Sequence, residues 1–96
     1  MDNKYLKELI KTYKDYPKAG IEFKDVLGII QEPKIFNELV LKISTSEIVK
    51  NAEAIISIDA RGYIFGSVIS LQSSKPIIVA RKTGKLPGEL LKITIV

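Results

Sequence analysis

The sequence predicts an α/β domain, on three observations. Two apolar runs of strand type, Ala54–Ile58 and Pro76–Ala80, flank a stretch, Tyr63–Leu71, whose Ile64, Phe65, Val68, Ile69 and Leu71 suit a helix. A strand–helix–strand unit of this length makes a right-handed parallel crossover. Each run is followed by a basic, glycine-containing segment, Asp59-Ala60-Arg61-Gly62 and Arg81-Lys82-Thr83-Gly84-Lys85-Leu86-Pro87-Gly88. Both segments therefore fall at the C-terminal ends of strands, where open α/β sheets hold their ligands.

The elements follow in order. Tyr5, Leu6, Leu9, Ile10 and Tyr13 have the spacing of an amphipathic helix over Asn3–Tyr13. Asp15-Tyr16-Pro17-Lys18-Ala19-Gly20 ends it, with proline and glycine as breakers. Ile21, Phe23 and Val26 suggest a short extended piece, and Leu27, Ile29 and Ile30 an irregular turn after it. Pro33 sits at a first-turn position and opens a helix with Ile35, Phe36, Leu39, Val40 and Ile43 on one face. The polar Ser44–Asn51 closes that unit. Ala54–Ile58 and Ile77–Val79 are expected as buried strands, and Leu90–Val96 as a third. Gly62 and Gly66 are poor choices inside a helix, so they predict close approach of the backbone to another element. With no repeat or linker the chain is expected as one domain over 1–96. Within it, 1–32 holds the N-terminal helix and the extended piece after it, and 33–96 the α/β core.

Composition narrows the chemistry. The 96 residues contain no cysteine and no histidine, which removes disulfides, thiolate metal sites and the commonest general base. Catalysis would fall to carboxylates, Lys, Arg, backbone amides or an oxygen-ligated metal. The 15 basic and 11 acidic residues leave a net charge of +4, which favours an anionic partner such as a nucleotide or phosphate. A nucleic-acid partner is not expected, since the aromatic-basic stripe of such domains is missing. No apolar run approaches the ~20 residues needed to span a bilayer. The first residues lack the charged start and apolar segment of a secretory signal, so the expected location is cytoplasmic.

Three groups of residues carry candidate chemistry. Ala60, Arg61 and Gly62 begin a helix after a strand, where main-chain N–H groups and a planar guanidinium suit a pyrophosphate. Arg81, Lys82 and Lys85 bring three cations to the same sheet end, although such clusters are also common in solvated turns. Asp25, Glu22 and Phe23 have plainer readings as helix cap, solvated acid and core residue.

Taken together, three blocks resemble the adenine phosphoribosyltransferases: Tyr16-Pro17-Lys18-Ala19-Gly20-Ile21-Glu22-Phe23-Lys24-Asp25, Ile58-Asp59-Ala60-Arg61-Gly62-Tyr63-Ile64-Phe65-Gly66, and Ala80-Arg81-Lys82-Thr83-Gly84-Lys85-Leu86-Pro87-Gly88-Glu89. They stand in that family's order and at about its spacing. The resemblance implies a partial type I phosphoribosyltransferase fold, a Rossmann-like parallel sheet under an N-terminal helical hood. It implies transfer of phosphoribosyl from phosphoribosyl pyrophosphate to adenine, giving AMP and pyrophosphate, with Mg2+ for which this sequence offers no identifiable ligands. It assigns Glu22, Phe23 and Lys24 to adenine, and Ala60, Arg61, Gly62, Arg81, Lys82 and Lys85 to pyrophosphate. It also implies a homodimer in which Arg81 and Lys85 reach a pyrophosphate site, the neighbouring subunit's.

Two positions depart from the family's pattern, Lys24 in place of Arg and Ala19 in place of Pro. Larger is what the family carries beyond the position of Glu89: a mobile loop with a proton-handling glutamate, an acidic pair and a Thr/Gly-rich 5-phosphate loop. The 96 residues resemble the N-terminal half alone and are expected to be inactive by themselves, with no catalytic residue of their own. The alternative is a non-catalytic remnant that binds anions or nucleotides, or associates with itself through its apolar edge.

Overall fold

The computed structural model describes residues 3–94. The chain divides into two compact units, Met1–Lys42 and Ile43–Val96.

In the first unit, α1 (Asn3–Leu9) is followed by β1 (Lys11–Lys14) and β2 (Glu22–Asp25), which pair antiparallel with Tyr13 opposite Phe23. The helix expected over Asn3–Tyr13 therefore stops four residues early. Tyr13 lies at i+4 from Leu9 and satisfies a helical period, but Thr12 and Tyr13 also favour strands. The hairpin turn decides between them. Asp15 has φ 55°, the Tyr16–Pro17 peptide is cis, and Gly20 has φ 83°. The Gly20 N–H donates to Asp15 Oδ1 at 2.8 Å, and the Tyr16 N–H to the Ile21 carbonyl at 3.1 Å. After β2, Asp25 Oδ1 accepts from the Leu27 N–H at 2.9 Å, at the first residue of α2 (Leu27–Ile30), a helix where an irregular turn was expected. Gly28 brings α2 against the end of α1: a Cβ there would lie 2.5 Å from the Leu9 carbonyl oxygen. The helix expected from Pro33 is α3 (Pro33–Ser44). Ile29 and Val40 are the buried apolar residues of this unit.

The second unit begins with a helix that the polar composition of Ser44–Asn51 concealed. It is α4 (Glu47–Asn51), N-capped by Ser46, whose Oγ accepts from the Val49 N–H at 3.5 Å. Then come β3 (Ile55–Ile58), α5 (Arg61–Ser73) and β4 (Ile77–Ala80), with β3 and β4 parallel in the register Ile55 to Ile77 through Ile58 to Ala80. The expected parallel crossover is thus present. Helix α5 ends on Ser74 in the left-handed conformation, with the Lys75 N–H donating to the Ser70 carbonyl at 3.1 Å.

Helix α5 covers one face of this pair and meets it through Gly66 and Ser57, both buried. The close approach predicted for Gly66 is real. A Cβ at that position would overlap Ser57 Oγ and come within 2.9 Å of Ser57 Cβ. The same expectation fails at Gly62, where the nearest atom would be 3.9 Å away. The strands themselves are not the buried ones expected. Ile56 and Ile58 are each 66% exposed and Ile78 is 51% exposed. By register these three share the face that α5 does not cover. The third strand is absent as well: Leu90–Thr94 has no regular structure, and Ile95 and Val96 lie outside the described residues. A strand forms by pairing, and in this sheet β3 and β4 pair only with each other.

Candidate functional site

The parallel register brings the C-terminal ends of β3 and β4 together. One carbonyl joins them: Ala80 O accepts from the Asp59 N–H at 3.2 Å and from the Tyr63 hydroxyl at 2.9 Å. The two basic segments singled out from sequence therefore leave the sheet side by side. Ala60, Arg61 and Gly62 form the entry into α5, which has Ala60 at its N-cap position and no side-chain cap. A helix start of this kind directs N–H groups and the positive end of the helix dipole outward. The Asp59–Ala60 peptide is cis. Arg81 follows β4 directly.

Arg81 does not stand as an isolated cation. Its Nε donates to Asp59 Oδ2 at 3.2 Å, and the two side chains are 35% and 30% exposed. Tyr63 packs beside this pair. Partial burial pushes its phenol above the usual tyrosine range, the Asp59 carboxylate adds to the rise, and the Arg81 guanidinium opposes it. Lys82 and Lys85 lie further along the same segment, both exposed. The Lys85 N–H donates to the Lys82 carbonyl at 3.2 Å, and Gly84 and Gly88 have φ 88° and 87°. Sequence reasoning named Arg61 and Arg81 but gave Asp59 and Tyr63 no role. The available signal was an acid directly after one parallel strand and an arginine directly after its neighbour.

The other candidate group lies in the first unit, on β2. Glu22 and Lys24 project from one face and form an ion pair at 2.6 Å, with Lys24 Nζ also donating to Thr12 Oγ1 at 2.9 Å. Phe23 occupies the opposite face among aromatic rings. Its centroid is 6.4 Å from that of Tyr13 and 5.3 Å from that of Tyr16, the latter edge-on at 75°. Tyr13 and Tyr16 were read from sequence as helix and turn residues, so this aromatic group emerges only with the hairpin.

Among the described residues no three His, Cys, Asp or Glu side chains gather in a way that could hold a metal ion. Asp59, the carboxylate that precedes the first basic segment, is taken up by Arg81. The donor set does not fit a resident divalent cation. Among the described residues no helix is long and apolar enough to cross a membrane.

Comparison with known proteins gives a consistent result. No protein-family model matches the chain. An adenine phosphoribosyltransferase of Prochlorococcus marinus strain MIT 9515 is 75% identical over 92 residues, which cover 96% of this chain and 53% of that protein. The fold superposes on adenine phosphoribosyltransferase from Thermoanaerobacter pseudethanolicus with a TM-score of 0.85 and 30% identity, over 94% of this chain and 54% of that one. It also superposes on the Saccharomyces cerevisiae enzyme, complexed with an imino-altritol bisphosphate and adenine. There the TM-score is 0.81 and the identity 33%, over 95% of this chain and 56% of that one. The chain spans about half the length of the curated relatives it matches.

Proposed function

We propose, for a chain whose sequence and partial type I phosphoribosyltransferase fold are those of about half an adenine phosphoribosyltransferase, that it provides that enzyme's pyrophosphate-binding and adenine-binding segments. The observation that supports this reading best is the hydrogen bond from Asp59 N–H to Ala80 O. It sets Ala60-Arg61-Gly62 next to Arg81, with Lys82 and Lys85 following. In the reaction, adenine and phosphoribosyl pyrophosphate give AMP and pyrophosphate. The ribosyl carbon gains positive charge while the departing diphosphate gathers negative charge. Guanidinium, ammonium and helix-start N–H groups around the diphosphate stabilise that separation most when it is greatest. Magnesium enters as a companion of the diphosphate, since among the described residues no carboxylate cluster makes a site for it. Glu22, Phe23 and Lys24 are the adenine-binding segment: main-chain groups of β2 bond the base edge and the Phe23 ring meets its face. Lys24 cannot form the planar fork of an arginine, but main-chain contacts do not require one.

Calorimetric titration with pyrophosphate, with and without magnesium, tests the assignment. Binding is expected, and Arg61→Ala should weaken it by about tenfold, the scale of one charge-assisted hydrogen bond. Clear binding that this substitution leaves unchanged overturns the site.

A second reading, a self-associating anion-binding module, draws on the uncovered sheet face. Ile56, Ile58 and Ile78 are exposed on it, and Leu90, Leu91 and Ile93 are exposed beyond the second basic loop. Association with a second copy would remove this surface from water at about 25 cal/mol per Å² of apolar area. Sedimentation at tens of micromolar is expected to show a dimer or larger species, and Ile56→Lys to shift it toward monomer. A well-folded monomer of the unmodified chain contradicts this reading.

A further inference from the structure

The pair between Asp59 and Arg81 has an odd character for a site that is to hold an anion. It sets a carboxylate next to the cation expected to meet the ligand. On charge alone Asp59 should oppose binding. The geometry points to another role, which rests on the pyrophosphate reading above: we propose that Asp59 is a positioning residue that aims the Arg81 guanidinium at the anion.

The contact uses Nε, the donor on the side of the guanidinium, at 3.2 Å from Asp59 Oδ2. This contact does not use the four N–H donors of the two terminal Nη groups. Held only by its aliphatic stem, an arginine loses much rotamer freedom on binding. Held by Asp59, it has lost part of that freedom beforehand, and affinity improves for that reason. The rest of the node makes the holding firm. Asp59 is fixed by its own N–H to Ala80 O, and Ala80 O is also bonded by the Tyr63 hydroxyl. The main-chain N–H of Asp59 after β3 and the Tyr63 hydroxyl at the start of α5 thus converge on Ala80, the residue that precedes Arg81. The pair links residues 22 apart in sequence, through two strand ends.

Pyrophosphate titration of four variants separates positioning from simple charge. Asp59→Ala removes a negative charge beside an anion site, yet is expected to weaken binding about tenfold, the scale of a lost charge-assisted contact. Asp59→Asn keeps an oxygen that can accept from Nε and should bind at least as tightly as the unmodified chain. In an Arg81→Ala background, Asp59→Ala should change affinity less than about twofold, because additivity fails where one residue acts through another. Asp59→Ala that tightens binding or leaves it unchanged overturns the proposal, as does an equal loss in the Arg81→Ala background. A ligand-free measurement distinguishes failure here from failure of the underlying reading. The Arg81 Nε–H resonance in a 15N-labelled chain should be resolved and protected from solvent exchange, and lose that protection in Asp59→Ala. If the unmodified chain does not bind pyrophosphate, the anion reading falls even with that resonance protected. If the resonance is unprotected while pyrophosphate binds, the positioning role falls alone.

Discussion

Gly66→Ala is expected to destabilise the Ile43–Val96 unit by ~1–3 kcal/mol. On helix propensity alone the change should help, since alanine inside a helix is favoured over glycine by about 1 kcal/mol. Packing reverses the sign. The added methyl would sit on Ser57 Oγ and 2.9 Å from Ser57 Cβ. Rotating the serine hydroxyl away clears only the first of these, and overpacking in a filled interior costs about 1–3 kcal/mol, at times more. The interface has little else to yield, because α5 on one face is the cover this strand pair has, and Val49 and Ile69 are the unit's other buried apolar residues. Small domains have only ~5 kcal/mol of stability at the low end, so the loss should be visible as a lower chemical-denaturation midpoint. Ser57→Gly in the same chain removes both clashing atoms and should recover most of the loss, a non-additivity that a helix-propensity effect would not show. Gly66→Ala at unchanged stability would mean that α5 does not lie this close to β3.

The same contact shows how far the sequence could be read. Glycine in a helix, beside a strand with serine among isoleucines, is a local signal of a close crossing, and the β3–α5–β4 unit follows from runs of strand and helix length with breakers between them. The order of the two basic loops at one sheet end follows from that unit. What was not legible depended on partners distant in sequence. Tyr13 fits a helical period from Leu9, and only Phe23, ten residues on, makes it a strand residue. The Ile55–Ile58 and Ile77–Ala80 runs have the continuous apolar character of strands covered on both faces, yet here one face is open. Leu90–Thr94 has strand composition but no neighbour to pair with among the described residues. The pairing of Asp59 with Arg81 required the register of β3 against β4, which composition does not contain.

That missing cover bears on the largest expected effect. Incubated with adenine, phosphoribosyl pyrophosphate and magnesium, the 96 residues alone are expected to form AMP at least about 10⁴-fold more slowly than a full-length relative. The chain spans about half the length of its relatives, and on the proposed reading the groups it brings together address the diphosphate and the base. A phosphoribosyl donor has a third anchor, its 5-phosphate, and these 96 residues contain no Thr/Gly-rich loop to hold it and no candidate for the proton-handling glutamate. Positioning of a reactant and stabilisation of developing charge each contribute on the order of 10²–10³ in rate when one element is removed. Two such losses multiply to about 10⁴–10⁶, which takes a typical turnover of ~10 s⁻¹ to at most about one event in a quarter of an hour. Pyrophosphate binding should survive, because on the proposed reading it depends on Ala60–Gly62 and Arg81, so affinity without turnover is the signature to look for. Chromatographic detection of AMP over several hours decides the matter. Turnover within about tenfold of a full-length relative would mean that the diphosphate loops and hairpin are sufficient for catalysis. Supplying the relatives' remaining half, fused or as a separate polypeptide, should raise AMP formation by orders of magnitude, since it adds the 5-phosphate anchor and gives Ile56, Ile58 and Ile78 something to pack against.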